Sequence, residues 1–312
     1  MALFPVDMHA HTTASDGVLT PTELVQLAAG RGLRVLGVTD HDTVDGLAEA
    51  ISAGPTLGLT VVPGVEFSTR HEYAKQFAGL HILGYFIDHR HPPLVETLRK
   101  VQEGRRRQKI EQIRRLQAFG FDISVEEVFS RVKGVPGRPH IAAVLMERNP
   151  GRFASVQQVF DEYLGVFKKA HVRREFALTV EEAIVQVKSA GGLPVLAHPG
   201  DYDDVTDPEA LVRNALAAGI EGLEVYYPYN RKSRSQNLIA YFERLADELG
   251  LLKTGGTDFH GRLHETLLPG DMGLSEAQYG LIAGNVAGNP SFVDGLSSGG
   301  QDDGARDCTS LN

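Results

Sequence analysis

The sequence predicts an α/β fold in which about seven strands form a parallel barrel that carries a mostly helical insertion. Short apolar runs alternate with helical segments along most of the chain, and the runs are continuous in Val, Ile and Leu, as in strands buried on both faces. The alternation breaks only between about residues 92 and 178. This pattern favours a closed barrel. An open doubly wound sheet is the alternative.

The predicted strands are apolar runs that mostly end in polar or charged residues. In chain order they span 4–9, 33–42, 59–68, 79–88, 193–199, 219–228 and 251–261. The helices between them, at 21–32, 180–191, 208–219 and 233–250, end at or next to glycine, as helices often do. At the first helix, Thr20 is the expected N-cap, Pro21 occupies the first turn and Glu23 is the early acidic residue.

The domain organisation follows from these elements. Residues 1–91 and 179–290 are predicted to form the barrel, and residues 92–178 to form a helical cap that opens with a long charged helix at 94–120. Residues 295–312 are rich in Gly, Ser and Asp, so we expect a disordered tail.

The composition restricts the function classes. A net charge of −9 argues against general binding to duplex DNA or acidic membranes, and no run of about 18 apolar residues is present. The single cysteine, Cys308, lies in the polar tail, which excludes disulfides and thiolate metal sites within one chain. The N-terminus carries neither the basic segment nor the apolar core of a signal peptide, so a cytoplasmic location is expected.

Polar residues concentrate at the ends of the predicted strands. They are His9, His11 and Asp16, Asp40, His41 and Asp42, Glu66, His81, His198, and Asp258 and His260. Six of the twelve histidines therefore fall in these segments. His81 differs from the others because it lies near the start of its strand. Since the strand ends of a parallel barrel converge on one face, these residues would line one cavity.

Imidazole and carboxylate groups without thiolates favour Zn, Mn or Fe over a structural cysteine site. His9 and His11 stand two residues apart on a strand, so both rings lie on one face and can bind one ion. Glu66 can bridge two ions and offset their repulsion. Any one of these residues alone is as easily explained as a hydrogen-bonded core residue. The whole set predicts a metal cluster.

Six motifs carry a resemblance to a known family. HAHTTASDG (9–17), TDHDT (39–43), PGVEFS (63–68), HILGY (81–85), AHPG (197–200) and GTDFHG (256–261) match, in order, the polymerase and histidinol phosphatase (PHP) family, which is related to the amidohydrolases. The match covers residues 6 to about 262. GRPHIA (137–142) further resembles the stand-alone PHP phosphoesterases, which act on nucleotides and short oligonucleotides. The resemblance implies a distorted (β/α)7 barrel whose insertion is a helical cap.

The resemblance also implies a site with three divalent metal ions, with Mn expected and Zn or Fe as alternatives. His9, His11, Glu66 and Asp258 would hold the first ion; Glu66, His81 and His198 the second; Asp16, His41 and His260 the third. Asp258, His198 and Glu66 are the predicted catalytic residues. A hydroxide that bridges two metals is expected to attack phosphorus in line, because metal ions lower the pKa of bound water. Asp40 and Asp42 are candidates for a general acid or for hydrogen-bonding support of a ligand.

Substrate selection is expected from the insertion. Arg138 and His140 lie in a Gly- and Pro-rich stretch before a helix start, which favours phosphate binding, and Lys169 follows in a basic segment with His171. The basic run at 99–115 has two interpretations. It is a solvated helix face, or it attracts nucleotides; the lack of interleaved aromatic residues favours the first.

By resemblance, the expected activity is removal of the 3′-phosphate from nucleoside 3′,5′-bisphosphates. Three alternatives remain open. The first is a 5′-to-3′ exonuclease that acts on short oligonucleotides, the second is a histidinol-phosphate-type phosphatase, and the third is a metal-binding regulatory PHP module without activity. The expected partner is a small nucleotide or short oligonucleotide, with no membrane and no stable duplex DNA binding; the sequence leaves the oligomeric state open.

Overall fold

A computed structural model describes residues 2–72, 75, 77–202, 205–229, 237–261 and 266–287. The predicted tail at 295–312, including Cys308, lies outside these residues, as does residue 290 at the predicted end of the barrel. In the part of the chain that is described, none of the helices combines the length and the apolar character that crossing a membrane would need.

Seven strands form one sheet that closes almost completely into a barrel. In spatial order they are β1 (Val6–Asp7), β2 (Val35–Val38), β3 (Thr60–Ser68), β6 (His81–Tyr85), β7 (Leu193–Leu196), β8 (Gly222–Tyr226) and β9 (Leu252–Gly255). A separate two-stranded ribbon joins β4 (His71–Glu72) and β5 (Phe77–Ala78). The barrel predicted from the alternation of apolar runs and helices is confirmed.

The two edges of the sheet meet where β1 passes β9. The amide of Met8 donates to the carbonyl of Gly255 at 3.1 Å, and Ala10 pairs with Phe259 in a parallel bridge. Gly256 makes this approach possible, because a Cβ at that position would lie 2.4 Å from the backbone nitrogen of His9. These contacts exclude the open doubly wound sheet.

One strand departs from the predicted parallel arrangement. β6 runs antiparallel to both of its neighbours, with His81 opposite Ser68 of β3 and Ile82 opposite Leu196 of β7. Its first residue therefore lies at the end of the barrel where the parallel strands finish. This direction explains why His81, at the start of its strand, belongs with residues found at the ends of the others.

Helices cover the outside of the barrel. They are α1 (Pro21–Arg31), α2 (Leu47–Ala53), α7 (Val180–Ser189), α8 (Pro208–Ala218), α9 (Asn237–Leu249) and α10 (Glu276–Ala287). The predicted N-terminus of α1 is confirmed: the hydroxyl of Thr20 accepts from the amide of Glu23, whose carboxylate accepts from the amide of Thr20. The largest apolar cluster of the described residues lies between these helices and the strands.

The segment predicted as a cap is helical between Pro92 and Leu164. It contains α3 (Pro92–Ala118), α4 (Val125–Phe129), α5 (Arg138–Arg148), α6 (Val156–Val159) and a π-helical turn at Phe160–Leu164. Its apolar side chains form a cluster of their own, which includes Ile113, Leu116 and Leu145. The segment therefore has a local core beside the barrel, although its status as a separate domain stays a prediction.

A buried carboxylate holds the loop after β9 against β1. Asp7 is fully buried. One of its oxygens accepts from the amides of His9 and Thr257, and the other accepts from the hydroxyl of Thr257 and the amide of Gly270. Four donors around one carboxylate tie the last barrel strand to the first.

We expect Asp7→Asn to lower the free energy of unfolding by about 2 kcal/mol, because the new amide group places a donor against donors that then lack an acceptor. Urea denaturation followed by circular dichroism measures the loss. Asp45→Asn, at an exposed position, is the control and should change stability by less than about 0.5 kcal/mol. Equal stability of the two variants would contradict this account of Asp7.

Candidate metal centre

The nine residues predicted as ligands meet at one end of the barrel. We name them the histidine–carboxylate cluster: His9, His11, Asp16, His41, Glu66, His81, His198, Asp258 and His260. Three groups of ligand atoms within this cluster each lie within 4.8 Å of one another. Residues separated by about 250 positions in the chain therefore surround one small volume, as the barrel prediction requires.

The first group joins His9, His11, Glu66 and Asp258, as predicted. The Nε2 atoms of His9 and His11 are 3.1 Å apart, and Asp258 Oδ1 lies 3.4 Å from the first and 3.1 Å from the second. Glu66 Oε2 lies 3.4 Å from His9 Nε2 and 3.3 Å from His11 Nε2. Ligands about 2.1 Å from a shared ion, at tetrahedral or octahedral angles, are about 3.0–3.4 Å apart. The spacing fits one divalent cation.

Hydrogen bonding does not account for this convergence. Two imidazole nitrogens in contact share at most one proton between them. Glu66 Oε2 is buried and, among the described residues, makes no hydrogen bond, although three imidazole nitrogens surround it at 2.9–3.4 Å. A buried carboxylate oxygen without a donor is costly, and a cation at this position would satisfy it. The donor set, imidazole and carboxylate without thiolate, suits Zn, Mn or Fe.

The second group forms on the other side of Glu66. Its Oε1 atom lies 2.7 Å from His81 Nδ1 and 3.1 Å from His198 Nε2, the two histidines predicted to share it. His41 also faces this carboxylate, with Nδ1 2.9 Å from Oε2. The two oxygens of Glu66 thus face different sets of histidines, which is the arrangement of a bridging carboxylate.

The third group contains the predicted Asp16, His41 and His260 together with His11. Asp16 Oδ1 lies 3.3 Å from His260 Nε2 and 3.9 Å from His41 Nε2. His11 stacks on His260 with ring centroids 4.1 Å apart. The structure therefore brings the predicted set together and places His11 between the first and third groups.

The charges of the cluster are strongly coupled. Burial alone lowers the pKa of an imidazole, but the hydrogen bond with Asp258 and the negative charges of Glu66 and Asp258 raise the pKa of His11 to about 10. Burial likewise raises the pKa of a carboxylate, yet the surrounding histidines, first His41 and His81, hold the pKa of Glu66 well below its ordinary value. Positive charge beside the buried carboxylates of the site is therefore needed to keep them ionised. A divalent cation supplies that charge when it displaces the imidazole protons.

Two further residues support the cluster, and sequence reasoning missed the first of them. Glu224, fully buried on β8, accepts from His9 Nδ1 at 2.8 Å and from the amide of His198 at 2.8 Å. With Nδ1 donating to Glu224, the Nε2 of His9 presents its lone pair to the first group. Tyr227 donates to Asp258 Oδ2 at 3.1 Å. The sequence signal for Glu224 was an acidic residue within an apolar predicted strand.

Asp40 and Asp42 have supporting contacts. Asp40 accepts from the amide and hydroxyl of Thr12 and from the hydroxyl of Ser15, so it fixes the loop that carries Asp16. Asp42 pairs with Arg105 and lies 3.5 Å from Arg174. These contacts favour the supporting interpretation over the general-acid one.

Backbone strain accompanies the site. Asp42, His198 and Asp258 adopt positive φ angles of 54°, 28° and 53°, a backbone region that residues other than glycine rarely occupy. Each residue follows a barrel strand. The hydrogen bonds and packing around them must outweigh a cost of about 1–3 kcal/mol per residue. Such strain is characteristic of functional sites, and no sequence pattern had indicated it.

A cavity of about 710 Å³ opens beside the cluster. It extends from Ser68 and His81 to the cap, where it is lined by the cation group, which we define as Lys109, Arg138 and Arg174. Glu175, the acidic residue in this lining, pairs with Arg107 at 3.3 Å. Arg105 lies behind the cation group, paired with Asp42. The cavity is therefore strongly electropositive at its cap side, away from the carboxylates of the cluster.

Lys109 is the most constrained member of the cation group. Its side chain is buried, with Nζ 3.4 Å from Gln112 Oε1. Burial, followed by the charges of Arg105, Arg138 and Arg174, holds its pKa well below the ordinary value. An anion in the cavity would relieve this repulsion.

The three predicted substrate residues have different positions. Arg138 lines the cavity. His140 accepts from the amide of Gly137 at 3.2 Å, at the start of α5, and does not line the cavity. Lys169 is exposed, lies over Tyr163 at 4.7 Å and is 4.0 Å from Glu162, also outside the lining. Of the three, Arg138 alone is placed for contact with a ligand in this cavity.

The basic helix α3 has an exposed, ion-paired face and a buried face that also carries cations; attraction of nucleotides stays a prediction. Arg99, Arg107 and Arg115 form exposed pairs with glutamates of the same helix, as a solvated face does. Arg105 and Lys109 instead occupy the buried stripe that also holds Val101 and Ile113. Polar residues at the apolar positions of an amphipathic helix were the signal that sequence reasoning overlooked.

Comparisons with known proteins show what this chain is similar to. The PHP domain family model matches residues 7–177. A 5′-3′ exoribonuclease of Haemophilus influenzae is 34% identical over 255 residues, 81% of this chain and 89% of the relative. A 3′,5′-nucleoside bisphosphate phosphatase of Chromobacterium violaceum is 35% identical over 268 residues, which is 82% of this chain and 87% of the relative. The structure of an amidohydrolase from Chromobacterium violaceum, with bound sulfate, superimposes with a TM-score of 0.76 at 31% identity, covering 88% of this chain and 93% of the other.

We expect Glu224→Gln to weaken divalent metal binding about 10- to 100-fold, because a glutamine offers His9 and the amide of His198 only one acceptor oxygen without charge. Titration of the chelator-treated protein with Mn²⁺, followed by calorimetry, measures the change. Glu243→Gln is the matched control, since Glu243 accepts from Tyr226 of the same strand at 2.7 Å, away from the cluster. Unchanged affinity in Glu224→Gln would contradict a role in orienting His9.

Proposed function

The chain belongs to the PHP domain family and is a phosphoric ester hydrolase, and from this premise we propose that it removes the 3′-phosphate of nucleoside 3′,5′-bisphosphates. One observation carries the proposal. The cavity reaches the histidine–carboxylate cluster at His81 and is lined at its cap side by the cation group, so a phosphate could be bound at each end. A substrate with two phosphates on one sugar matches this division.

The cluster would bind the phosphate that reacts. His9, His11, Glu66 and Asp258 would hold one divalent ion, Glu66, His81 and His198 a second, and Asp16, His41 and His260 a third. Bound divalent ions neutralise phosphate charge and lower the pKa of bound water to about 7. Glu66 and Asp258 set the charge of the site, and Glu224 and Tyr227 keep His9 and Asp258 in position. Among the predicted catalytic residues, His198 is held through its own amide by Glu224.

The cation group would bind the phosphate that remains on the product. Guanidinium groups donate paired hydrogen bonds to phosphate oxygens, and Lys109 adds a point charge. Arg174 is oriented by the carbonyl of Ser68 at 3.1 Å, on the strand that carries Glu66. The same strand thus links the two phosphate sites. A single-phosphate substrate of the histidinol type would leave the cation group without a phosphate to bind.

The second candidate is a 5′-to-3′ exonuclease on short oligonucleotides. A relative of similar identity carries that activity in its name. Such an enzyme cleaves the ester on the 3′ side of the terminal nucleotide, so the cation group would hold the 5′-phosphate and the cluster would bind the diester. Both candidates share the same anchor and differ in whether the phosphate on the 3′ oxygen is a monoester or a diester.

A direct assay separates these candidates. Phosphate release from nucleoside 3′,5′-bisphosphates, 3′-monophosphates and histidinol phosphate is measured with Mn²⁺, Zn²⁺ or a chelator, beside cleavage of a labelled 5′-phosphorylated dinucleotide. We expect metal-dependent turnover that is fastest with the bisphosphate, and none in Asp258→Ala. Faster cleavage of the dinucleotide would favour the exonuclease. Inactivity towards every substrate would refute the proposal.

We expect Arg138→Met to lower kcat/KM for a nucleoside 3′,5′-bisphosphate about 10- to 100-fold, because a charge-assisted hydrogen bond to the phosphate is lost. The kcat/KM for the 3′-monophosphate should stay within about twofold. Methionine preserves the apolar stem of the side chain. Arg131→Met is the control, because Arg131 pairs with Glu147 on the cap surface outside the cavity. Equal losses on both substrates would show that Arg138 does not select the second phosphate.

The lowered pKa of Lys109 predicts that the protein takes up a proton when a phosphate binds in the cavity. This pKa is lowered in the free enzyme, and a bound dianion raises it again, so affinity should fall as pH rises through the lowered pKa. Calorimetry of nucleoside 5′-monophosphate binding at pH 8, in buffers of different ionisation enthalpy, counts the protons. Lys109→Met should lose this uptake, and Lys169→Met should keep it. The same uptake in Lys109→Met would assign the proton to another group.

A further inference from the structure

An aromatic pair at the cap side of the cavity has no part in the phosphate chemistry described above. Phe167 and His171 both line the cavity, and their rings meet edge to face with centroids 5.6 Å apart. Phe167 is 73% exposed, although exposure of a phenyl ring to water is unfavourable. The ring is therefore displayed at the cavity beside Arg138 and Lys109.

The loop that carries Phe167 is held in shape by its backbone. The amide of Lys168 donates to the carbonyl of Gly165 at 3.2 Å, and the amide of His171 donates to the carbonyl of Lys168 at 2.9 Å. The amide of Ala170 reaches back to the carbonyl of Tyr163 at 2.9 Å. Phe167 itself adopts a φ of 60°, a strained conformation that the rest of the loop imposes. The ring is preorganised by this loop.

His171 packs against this ring. Burial, then the charges of Arg138 and Arg115, lower the pKa of His171, which favours its uncharged imidazole form. Its carbonyl accepts from Arg115 of α3, which fixes the backbone at this position. Phe167 and His171 together give the cavity an aromatic surface on which a flat, uncharged group can stack.

We propose that Phe167, supported by His171, is the stacking surface for the base of the substrate nucleotide. This inference rests on the proposed function, because the phosphates held by the cluster and the cation group fix which end of the nucleotide reaches the cap. Stacking on one phenyl face accepts any base, since every base has a flat π face. The enzyme should therefore discriminate nucleotides from base-free sugar bisphosphates, and discriminate weakly among the four bases.

A nearby residue provides a matched control. Phe176 is also an exposed phenylalanine of the same segment, 40% exposed, but it packs over Gly104 of α3 and does not line the cavity. Replacement of either residue by alanine removes a phenyl ring that is at least partly exposed. Only the loss of Phe167 removes a surface inside the cavity.

Kinetics with two substrates test the inference. We expect Phe167→Ala to lower kcat/KM for a nucleoside 3′,5′-bisphosphate about 5- to 100-fold, and to leave kcat/KM for 1-deoxyribose 3,5-bisphosphate, which lacks a base, within about twofold. Phe167→Tyr, which keeps the aromatic face, should retain most of the activity, and Phe176→Ala should match wild type. Equal losses on both substrates, or no loss on either, would overturn the stacking role.

A binding measurement separates the stacking surface from turnover. The fluorescence of 2-aminopurine riboside 5′-monophosphate falls when its base stacks, and the chain contains no tryptophan to interfere. We expect quenching on titration with wild type and Phe176→Ala, and a loss of most of it with Phe167→Ala. Quenching that persists in Phe167→Ala would overturn the inference whatever the activity. Quenching as expected, without hydrolysis of any bisphosphate by wild type, would instead reject the proposed activity and keep the stacking surface.

Discussion

The carboxylate of Glu66 is the point on which the site depends. It is fully buried at the barrel mouth, and nitrogen atoms of five histidines lie within 3.4 Å of its two oxygens. A buried charge of this kind is stable only when positive charge faces it from several directions. The strands that supply those histidines must therefore end at one level. The barrel, the antiparallel β6 and the strained residues after the strands all serve this requirement.

A layer of supporting contacts keeps the cluster in place. Asp7 ties the loop after β9 to β1, Glu224 orients His9 and the backbone of His198, and Asp40 fixes the loop before Asp16. These carboxylates point at backbone amides, hydroxyls and outer imidazole nitrogens. The inner nitrogens and oxygens are thereby left to converge, which is the physical difference between a metal centre and an ordinary polar core.

The cavity lies between the histidine–carboxylate cluster, which it reaches at His81, and the cation group on the cap. Phosphate binding at the cluster would require intervening cations, whereas the cation group could bind phosphate directly. Asp42 stands between them: it pairs with Arg105 and Arg174 and accepts from the amide of Ser68. Burial raises its pKa, but those guanidinium groups hold it below the ordinary value. The barrel thus positions the cap residues electrostatically as well as by packing. Phe167 adds an apolar contact on the cap side of the same cavity.

The sequence by itself determined the barrel and its helices, because strand runs and helix ends are local patterns. The His and acidic residues at strand ends predicted where a metal cluster would form, and the resemblance to the PHP family selected its nine members from them. Tertiary structure decided the rest. The reversed direction of β6 explains His81, and only pairing with β3 and β7 shows it. Glu224, Arg105 and Lys109 act through partners far away in the chain, and in the sequence they resemble ordinary polar residues within apolar segments. Lys169 is of a residue type that often binds phosphate, but it lies near Glu162 and outside the cavity lining. Side-chain direction depends on how the cap packs on the barrel, and no local pattern encodes that packing.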